Sequence, residues 1–223
     1  MKSGSTLEKI LTAGHFAFTG ELGPPRGPYI EAIKKKAAPW KGMVDSVNIT
    51  DNQTAVVRMS SMAASLFAIA EGLEPNYQMV CRDRNRLAMQ GDILGAYAHG
   101  IRNILCLSGD HQQFGDHPQS KGVFDIDSMQ LINMVKNMRD EGTFLNGQEI
   151  DEPPKMFIGA AANPFAEPFE WRIFRLAKKI QAGADFIQTQ CVFNMERMRE
   201  WIKRANDMGL SEKTYILPGV TPM

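Results

Sequence analysis

Residues 100–110 read GIRNILCLSGD, and the fold class can be inferred from this segment. Within the run Asn103–Leu107, all residues after Asn103 are apolar, which is typical of a strand buried on both faces. The run then ends in Ser108, Gly109 and Asp110, residues that favour turns. An apolar strand with polar residues at its carboxyl end predicts a parallel sheet with a functional site at that end.

The same pattern recurs along the chain. The strand candidates are Phe16–Leu22, Val44–Thr50, Tyr77–Cys81, Asn103–Leu107, Met156–Ala161, Phe186–Gln190 and Tyr215–Val220. Apolar residues at helical spacing predict the core faces of three intervening helices: Met59, Met62, Leu66 and Ile69; Leu131, Met134, Val135 and Met138; and Met198, Trp201, Ile202 and Ala205. Strict alternation of strands and helices predicts parallel strands with right-handed crossovers.

An α/β barrel and an open doubly wound sheet both fit this alternation. No G-x-G-x-x-G follows a strand, and polar residues gather at several strand ends, so the sequence favours a TIM-type (β/α) barrel. We expect one domain over residues 1–223, because no linker or repeat divides the chain. The segment Gly142–Lys155 is interpreted as a polar excursion before strand five.

Composition excludes several functional classes. Lys plus Arg equals Asp plus Glu at 25 each, so we expect no nucleic-acid or membrane partner. The amino terminus lacks a signal peptide, which predicts a cytoplasmic protein. Three dispersed cysteines predict reduced thiols in the same compartment. No metal site is expected, and the histidines and aspartates of GDHQQFGDH are interpreted as a solvated loop.

Polar residues at the strand ends are the candidate functional residues. They are Glu21, Thr50, Asp51, Gln78, Ser108, Gly109, Asp110, Asn163 and Gln190. Most of them are also ordinary turn and cap residues. Glu21 is the exception, because glutamate is a poor strand residue and the GPP that follows closely cannot continue a ladder. A carboxylate in a barrel mouth needs a partner or a function, so we expect Glu21 to have one.

Five blocks in chain order together resemble the methylenetetrahydrofolate reductase family. They are GELGPPRG, VNITDN, GIRNILCLSGD, AGADFIQTQCVFN and ILPGVTPM. The form VNITDNQTAVVRMSS is similar to the variety found in anaerobic one-carbon metabolism. The resemblance implies a barrel that binds FAD and reduces 5,10-methylenetetrahydrofolate to 5-methyltetrahydrofolate.

The resemblance also implies roles for individual residues. Glu21 matches the catalytic acid, Asp110 an aspartate beside the flavin and the folate, and Gln190 a glutamine that binds the pterin. Positions that match or adjoin flavin-binding residues are Thr50, Asp51, Gln78, Ser108, Gly109, Asp110, Asn163, Arg175, Lys178 and Lys179. Lys179 is implied to lie near the diphosphate, with Arg175 and Lys178 within one helical turn. Alternatively, Arg175 and Lys178 belong to a solvated basic face.

Three positions depart from the family pattern. Ser108 replaces a frequent arginine, Gln78 a histidine, and Asp51 an aromatic residue. The electron donor therefore stays open between NAD(P)H and a reduced iron–sulfur partner protein.

Relatives continue beyond ILPGVTPM, so we expect a barrel shortened at its carboxyl end, with about seven strands, in an oligomer or hetero-complex. Two other functions stay open. One is a pterin-binding methyltransferase barrel, and the other is a non-catalytic flavin-binding subunit of a one-carbon complex.

Overall fold

The structure is a computed structural model that describes residues 1–221. Pro222 and Met223, which end the ILPGVTPM block, lie outside the described residues. The strands are β1 (Thr19–Leu22), β2 (Ser46–Ile49), β3 (Pro75–Val80), β4 (Asn103–Leu107), β5 (Phe157–Ala162), β6 (Phe186–Cys191) and β7 (Tyr215–Gly219). The α-helices are α1 (Thr6–Thr12), α2 (Ile30–Ala37), α3 (Ser61–Ala70), α4 (Arg86–Ala98), α5 (Ser128–Asp140), α6 (Arg172–Ala182) and α7 (Met195–Asp207).

The seven strands form one parallel sheet in chain order, from β1 to β7. This sheet is a half-barrel of alternating strands and helices, which confirms the predicted α/β class and barrel-type architecture. Because every strand runs in the same direction, all carboxyl ends lie on one rim. Over the described residues, β1 and β7 are the two edge strands.

The prediction for the first strand was wrong at its amino end. The strand begins at Thr19, and the side chains of Phe16 and Phe18 are 79% and 59% exposed. An apolar run predicts burial only where an element packs on it, and these two phenylalanines contact each other on the surface instead.

Side-chain caps set the start of several helices. Asp127 and Gln130 form a capping box at the start of α5, and Asn194 caps α7. The predicted stripe of α5 is fully buried, and that of α7 is buried except for the partly exposed Ile202.

Helix α3 differs from its prediction. Its fully buried face consists of small residues, namely Ser61, Ala64, Ser65 and Ala68. The predicted residues Met62, Leu66 and Ile69 are only partly buried at the margin of the core. Small side chains allow the helix backbone to approach the strands closely, which displaces the larger residues sideways.

Helix α1 closes the amino-terminal end of the half-barrel. Leu7 and Leu11 pack against Leu105, Phe157 and Phe186, and the last two rings stack with centroids 5.1 Å apart. The first backbone N–H groups of α1 donate to the Glu74 carboxylate, which precedes β3. Apolar side chains therefore fill the interior of the half-barrel at this end, and the largest opening to the interior lies at the opposite rim.

A buried ion pair joins α5 to the amino-terminal ends of β5 and β6. Arg139 Nη1 lies 2.6 Å from Asp185 Oδ2, and both side chains are 3% exposed. The same carboxylate accepts from the Ile158 backbone N–H at 2.8 Å and pairs with Lys2. Removing one member of such a pair leaves the other buried without compensation.

We predict that Asp185→Ala lowers the free energy of unfolding by about 3–5 kcal/mol, measured by urea denaturation. The matched control is Asp140→Ala, which removes another partner of Arg139 whose side chain is 36% exposed. The control should lose about 1 kcal/mol or less. Equal losses in the two variants would contradict a special contribution from the buried pair.

Candidate functional site

A cavity of about 750 Å³ opens at the carboxyl rim. Each of the seven strands contributes to its wall, through Glu21, Asn48, Gln78, Leu105, Ala161, Gln188 and Leu217. A second pocket of about 200 Å³ adjoins it and shares Ala161 and Gln190. The main cavity has the size that small-molecule and cofactor sites have.

Most of the predicted site residues meet here. The main cavity is lined by Glu21, Thr50, Asp51, Gln78, Ser108, Gly109, Asp110 and Gln190. Asn163, Arg175 and Lys179 line the second pocket. Lys178 is exposed and lines neither space, because one residue along a helix rotates the side chain away from its neighbour.

Glu21 and Gln190 face the cavity with free functional groups. Within residues 1–221 the Glu21 carboxylate has no hydrogen bond or ion pair, although it lies on a strand. The Gln190 side chain is likewise exposed and makes no side-chain hydrogen bond in this part of the chain. Both groups are therefore available to a ligand.

The two aspartates of the site differ in burial and in the partners of their carboxylates. Asp51 is buried, and its carboxylate accepts from Arg84 at 2.7 Å and from the Val80 backbone N–H at 3.1 Å. Asp110 is exposed to the cavity, and within the described part of the chain only its Oδ2 is engaged, by the Thr54 backbone N–H at 3.0 Å. Asp110 is thus the available carboxylate, whereas Asp51 braces the wall.

Two buried polar atoms near the cavity lack partners among the described residues. They are Thr50 Oγ1 and Gln188 Nε2. Buried polar atoms are normally paired, so an unpaired one beside a cavity indicates a place for a polar ligand or water. Gly109 has φ +87°, and a Cβ there would lie 3.0 Å from the Val80 Cβ. This glycine keeps the backbone close to the wall.

Lys179 lies in the second pocket, where its surroundings disfavour the charged form of the amine. Burial and the neighbouring Arg175 lower the pKa of its amine to about 8. The amine donates to the Ala161 carbonyl oxygen, and Arg172 and Arg175 line the same pocket. Three cations around one small space indicate a site for an anionic group.

Asn48, Arg82 and Gln188 are among the polar lining residues that were not predicted from the sequence. Asn48 and Gln188 lie inside apolar strands, and a polar residue in such a strand is the signal that could have identified them. Arg82 follows β3, and its guanidinium donates to the carbonyl oxygens of Asn52 and Asp110. No periodic pattern distinguishes this arginine from a surface residue.

Three other features bear on the classes of function that the chain could have: metal ligands, cysteines and helix hydrophobicity. In residues 1–221 no group of three or more His, Cys, Asp or Glu side chains is placed to hold a metal ion. The three cysteines are free, and burial raises the pKa of Cys81 to about 12. None of the helices described here is both long and apolar enough to span a bilayer.

Several curated proteins are similar to this chain in sequence. A probable methylenetetrahydrofolate reductase (NADPH) of Caenorhabditis elegans is 24% identical over 97% of this chain and 32% of its own length. Methylenetetrahydrofolate reductase 2 of Saccharomyces cerevisiae is 25% identical over 74% of this chain and 27% of its own. The 5,10-methylenetetrahydrofolate reductase of Pectobacterium carotovorum is 26% identical over 68% of this chain and 45% of its own length. The chain thus spans less than half the length of these relatives.

Two solved structures share the fold. A Clostridium thermocellum protein described as binding two copies of 5-methyl-5,6,7,8-tetrahydrofolic acid has a TM-score of 0.63 at 13% identity. The match covers 98% of this chain and 70% of that one. A 2,3-dimethylmalate lyase has a TM-score of 0.58 at 12% identity, and the match covers 96% of this chain and 80% of that one. At these identities the likeness concerns the fold alone.

The family comparison covers nearly the whole chain. The model for methylenetetrahydrofolate reductase matches residues 6–223. This range includes every strand described above and all of the residues that line the two spaces. The chain belongs to the methylenetetrahydrofolate reductase family.

Proposed function

We propose that this chain binds FAD and reduces 5,10-methylenetetrahydrofolate to 5-methyltetrahydrofolate. The observation that carries the proposal is the convergence of Glu21, Asp110 and Gln190 on one cavity, with a cationic pocket beside it. The cavity offers an acid, an anion and an amide for a cationic pterin intermediate. The adjoining pocket offers positive charge for a phosphate group.

The residues present fit a flavin dinucleotide. The cations Lys179 and Arg175 suit a diphosphate, and the unpaired Thr50 hydroxyl suits a polar edge of the ring system. The backbone at Gly109 leaves room for a flat group near the wall. A flavin bound by these residues would, in its reduced form, supply a hydride to the substrate. Asn163 lines the same pocket as Lys179 and is proposed to contact the cofactor as well.

Glu21 is proposed as the general acid. Opening of the five-membered ring of the substrate requires a proton on N10 as the C–N bond breaks, and a 5-iminium cation results. The unpaired Glu21 carboxyl group faces the cavity and is free to donate that proton.

Asp110 and Gln190 are proposed to act on the resulting cation. The Asp110 carboxylate stabilises the positive charge electrostatically, and its Oδ2 is already fixed by the Thr54 N–H. Gln190 lines both spaces, so its amide can orient the pterin beside the cofactor.

The proposal includes the physiological setting. The electron donor is NAD(P)H or a reduced iron–sulfur protein, and anaerobic reduction of the flavin by each donor distinguishes the two. We also propose that the chain works in the cytoplasm, where its three free thiols stay reduced, and in an oligomer or hetero-complex.

A second candidate is a pterin-binding methyltransferase barrel without flavin. It is favoured only by the shared fold with a protein described as binding 5-methyltetrahydrofolic acid. Stoichiometric FAD binding, with flavin reoxidation by methylenetetrahydrofolate, would exclude it. FAD binding without such reoxidation would instead favour a non-catalytic flavin-binding subunit.

We predict that Lys179→Met weakens FAD binding about ten- to a hundredfold, because a charge-assisted hydrogen bond to the diphosphate is lost. The same variant should be more stable than wild type without FAD at pH 7. The lysine has a lowered pKa of about 8, so its charged form disfavours the folded state below that value. This stability difference should shrink as pH rises from 8 toward the unperturbed pKa of 10.5.

Fluorescence titration with FAD and thermal unfolding at pH 7 and 9.5 measure the two effects. The matched control is Lys178→Met, which removes an exposed lysine outside both spaces. Equal loss of FAD affinity in both variants would indicate general electrostatic attraction instead of a specific contact.

We predict that Glu21→Gln binds FAD and accepts electrons normally but slows flavin reoxidation by methylenetetrahydrofolate at least about 10²-fold. Glutamine keeps the size of the side chain and removes the transferable proton. Anaerobic stopped-flow mixing of the pre-reduced protein with the substrate measures the rate. Glu31→Gln, an exposed change on α2, serves as the control. A Glu21→Gln rate within threefold of the control would refute the acid assignment.

We predict that Asp110→Asn slows the folate half-reaction on the order of 10²-fold while flavin reduction changes little. Asparagine can still accept from the Thr54 N–H, so the local backbone should be kept. Rapid mixing of each half-reaction separately gives both rates. Similar slowing of the two halves would show that Asp110 acts on the flavin and has no separate effect on the folate cation.

A further inference from the structure

Asp116 joins three loops at the carboxyl rim. It lies in the loop after β4, and its carboxylate accepts from Arg26 Nη2 at 2.7 Å, in the loop after β1. It also accepts from the Val57 backbone N–H at 3.2 Å, in the loop after β2, and lies 3.0 Å from His117 Nδ1. We call residues 24–26, 52–58 and 110–117 the loop clasp.

The middle segment of the loop clasp has an unusual backbone. Asn52, Thr54 and Ala55 have positive φ values of 41°, 57° and 58°. Residues other than glycine seldom adopt this conformation, and a β-branched threonine is an outlier there. Such a backbone persists only where surrounding contacts hold it in place.

The other two loops and Arg82 supply those contacts. A Cβ at Gly115 would lie 1.8 Å from the Ala55 carbonyl oxygen, so the two loops are in direct backbone contact. Arg82 Nη2 donates to the Asn52 carbonyl oxygen at 3.2 Å. The Met59 N–H donates to the Pro25 carbonyl oxygen at 2.9 Å, next to Arg26. The left-handed segment is therefore held from both sides.

This segment fixes Asp110. The Thr54 N–H, which the left-handed backbone presents, donates to Asp110 Oδ2 at 3.0 Å. Arg82 Nη1 holds the Asp110 carbonyl oxygen at 3.0 Å. Asp110 Oδ1 has no partner within residues 1–221, and the residue lines the main cavity. Arg82 thus fixes the main chain of Asp110, and the loop clasp fixes one of its carboxylate oxygens.

We propose that Asp116 is a positioning residue that closes the loop clasp and thereby orients the Asp110 carboxylate in the cavity. Asp116 holds Val57 and Arg26, and these contacts keep Thr54 in the conformation that directs its N–H at Asp110. The task of Asp110 in this inference rests on the proposed function. The mechanical link from Asp116 to Thr54 does not, so the two can be tested separately.

The first test uses the full chain without FAD. Hydrogen exchange of the peptide that covers residues 52–58 should be at least about tenfold faster in Asp116→Ala than in wild type. The matched control is Asp125→Ala, which removes an aspartate of the same β4–α5 connection that pairs with Arg86 at 2.7 Å, outside the loop clasp. The control should exchange within about twofold of wild type over residues 52–58. Unchanged exchange in Asp116→Ala overturns the proposal whatever the protein catalyses.

The second test is a double-mutant cycle on the folate half-reaction. Asp116→Ala should slow flavin reoxidation about tenfold in wild type but less than about twofold in the Asp110→Asn background, since the effect passes through Asp110. Flavin reduction should not change. Equal slowing in both backgrounds would show that Asp116 acts by another route.

A conservative variant separates positioning from folding. Asp116→Asn keeps an acceptor for the Val57 N–H and loses the charge that holds Arg26, so its exchange rate should lie between wild type and Asp116→Ala. If Asp116→Ala does not fold, the same measurements on Asp116→Asn and Arg26→Met decide, and wild-type exchange in both overturns the proposal. Failure of the wild-type protein to use methylenetetrahydrofolate would refute the proposed function. It would not refute the positioning role of Asp116, because the exchange test needs no substrate.

Discussion

Parallel pairing of the seven strands in chain order is the constraint on which the rest of the structure depends. It places every strand's carboxyl end on one rim, so residues far apart in sequence, such as Glu21 and Gln190, line the same cavity. It also leaves the opposite end to be closed by packing, which α1 does with Leu7 and Leu11. The cavity and the packing that closes the half-barrel therefore lie at opposite ends of the strands.

The strand interiors carry a polar row that links these two ends. In the sheet register Glu21 lies opposite Asn48, Asn48 opposite Asn76, and Asn76 opposite Asn103. Asn76 Nδ2 donates to Asn48 Oδ1 at 2.7 Å, and Asn103 Nδ2 donates to Glu74 at 2.9 Å. The first bond joins β2 to β3, and the second joins β4 to the residue before β3. The Oδ1 atoms of Asn76 and Asn103 have no partner within residues 1–221.

Much of the fold could be predicted from the sequence, because burial of parallel strands on both faces leaves continuous apolar runs. Local pattern failed where packing decided the outcome. Phe16 and Phe18 form an apolar run that nothing covers, and α3 presents Ala64 and Ala68 to the strands in place of Leu66. Periodicity reports which residues are apolar, whereas the depth of burial depends on how closely a helix approaches the sheet.

Prediction of the site had a similar limit. Residues at strand ends were found because topology alone gathers them. Arg82 and Asp116 were missed because their roles depend on contacts between loops, such as the pair of Asp116 with Arg26, 90 residues away. Lys178 and Lys179 were grouped together because sequence proximity does not show which of two adjacent helical residues faces a pocket.

Several polar groups at the rim are available to a ligand, and unpaired buried oxygens also occur away from it, at Asn76 and Asn103. At the amino-terminal end, the carboxylates of Asp185 and Glu74 receive several donors each, as expected for groups that stabilise the fold. At the rim, the buried Thr50 hydroxyl lacks a partner within residues 1–221, and burial lowers the pKa of Lys179 to about 8. Features that oppose stability persist where binding a ligand relieves them. An anionic, hydrogen-bonding cofactor would neutralise the charge of Lys179 and pair with the Thr50 hydroxyl. A cationic substrate intermediate would pair with the exposed carboxylates of Glu21 and Asp110, so the polar groups of the rim match the chemistry proposed for the protein.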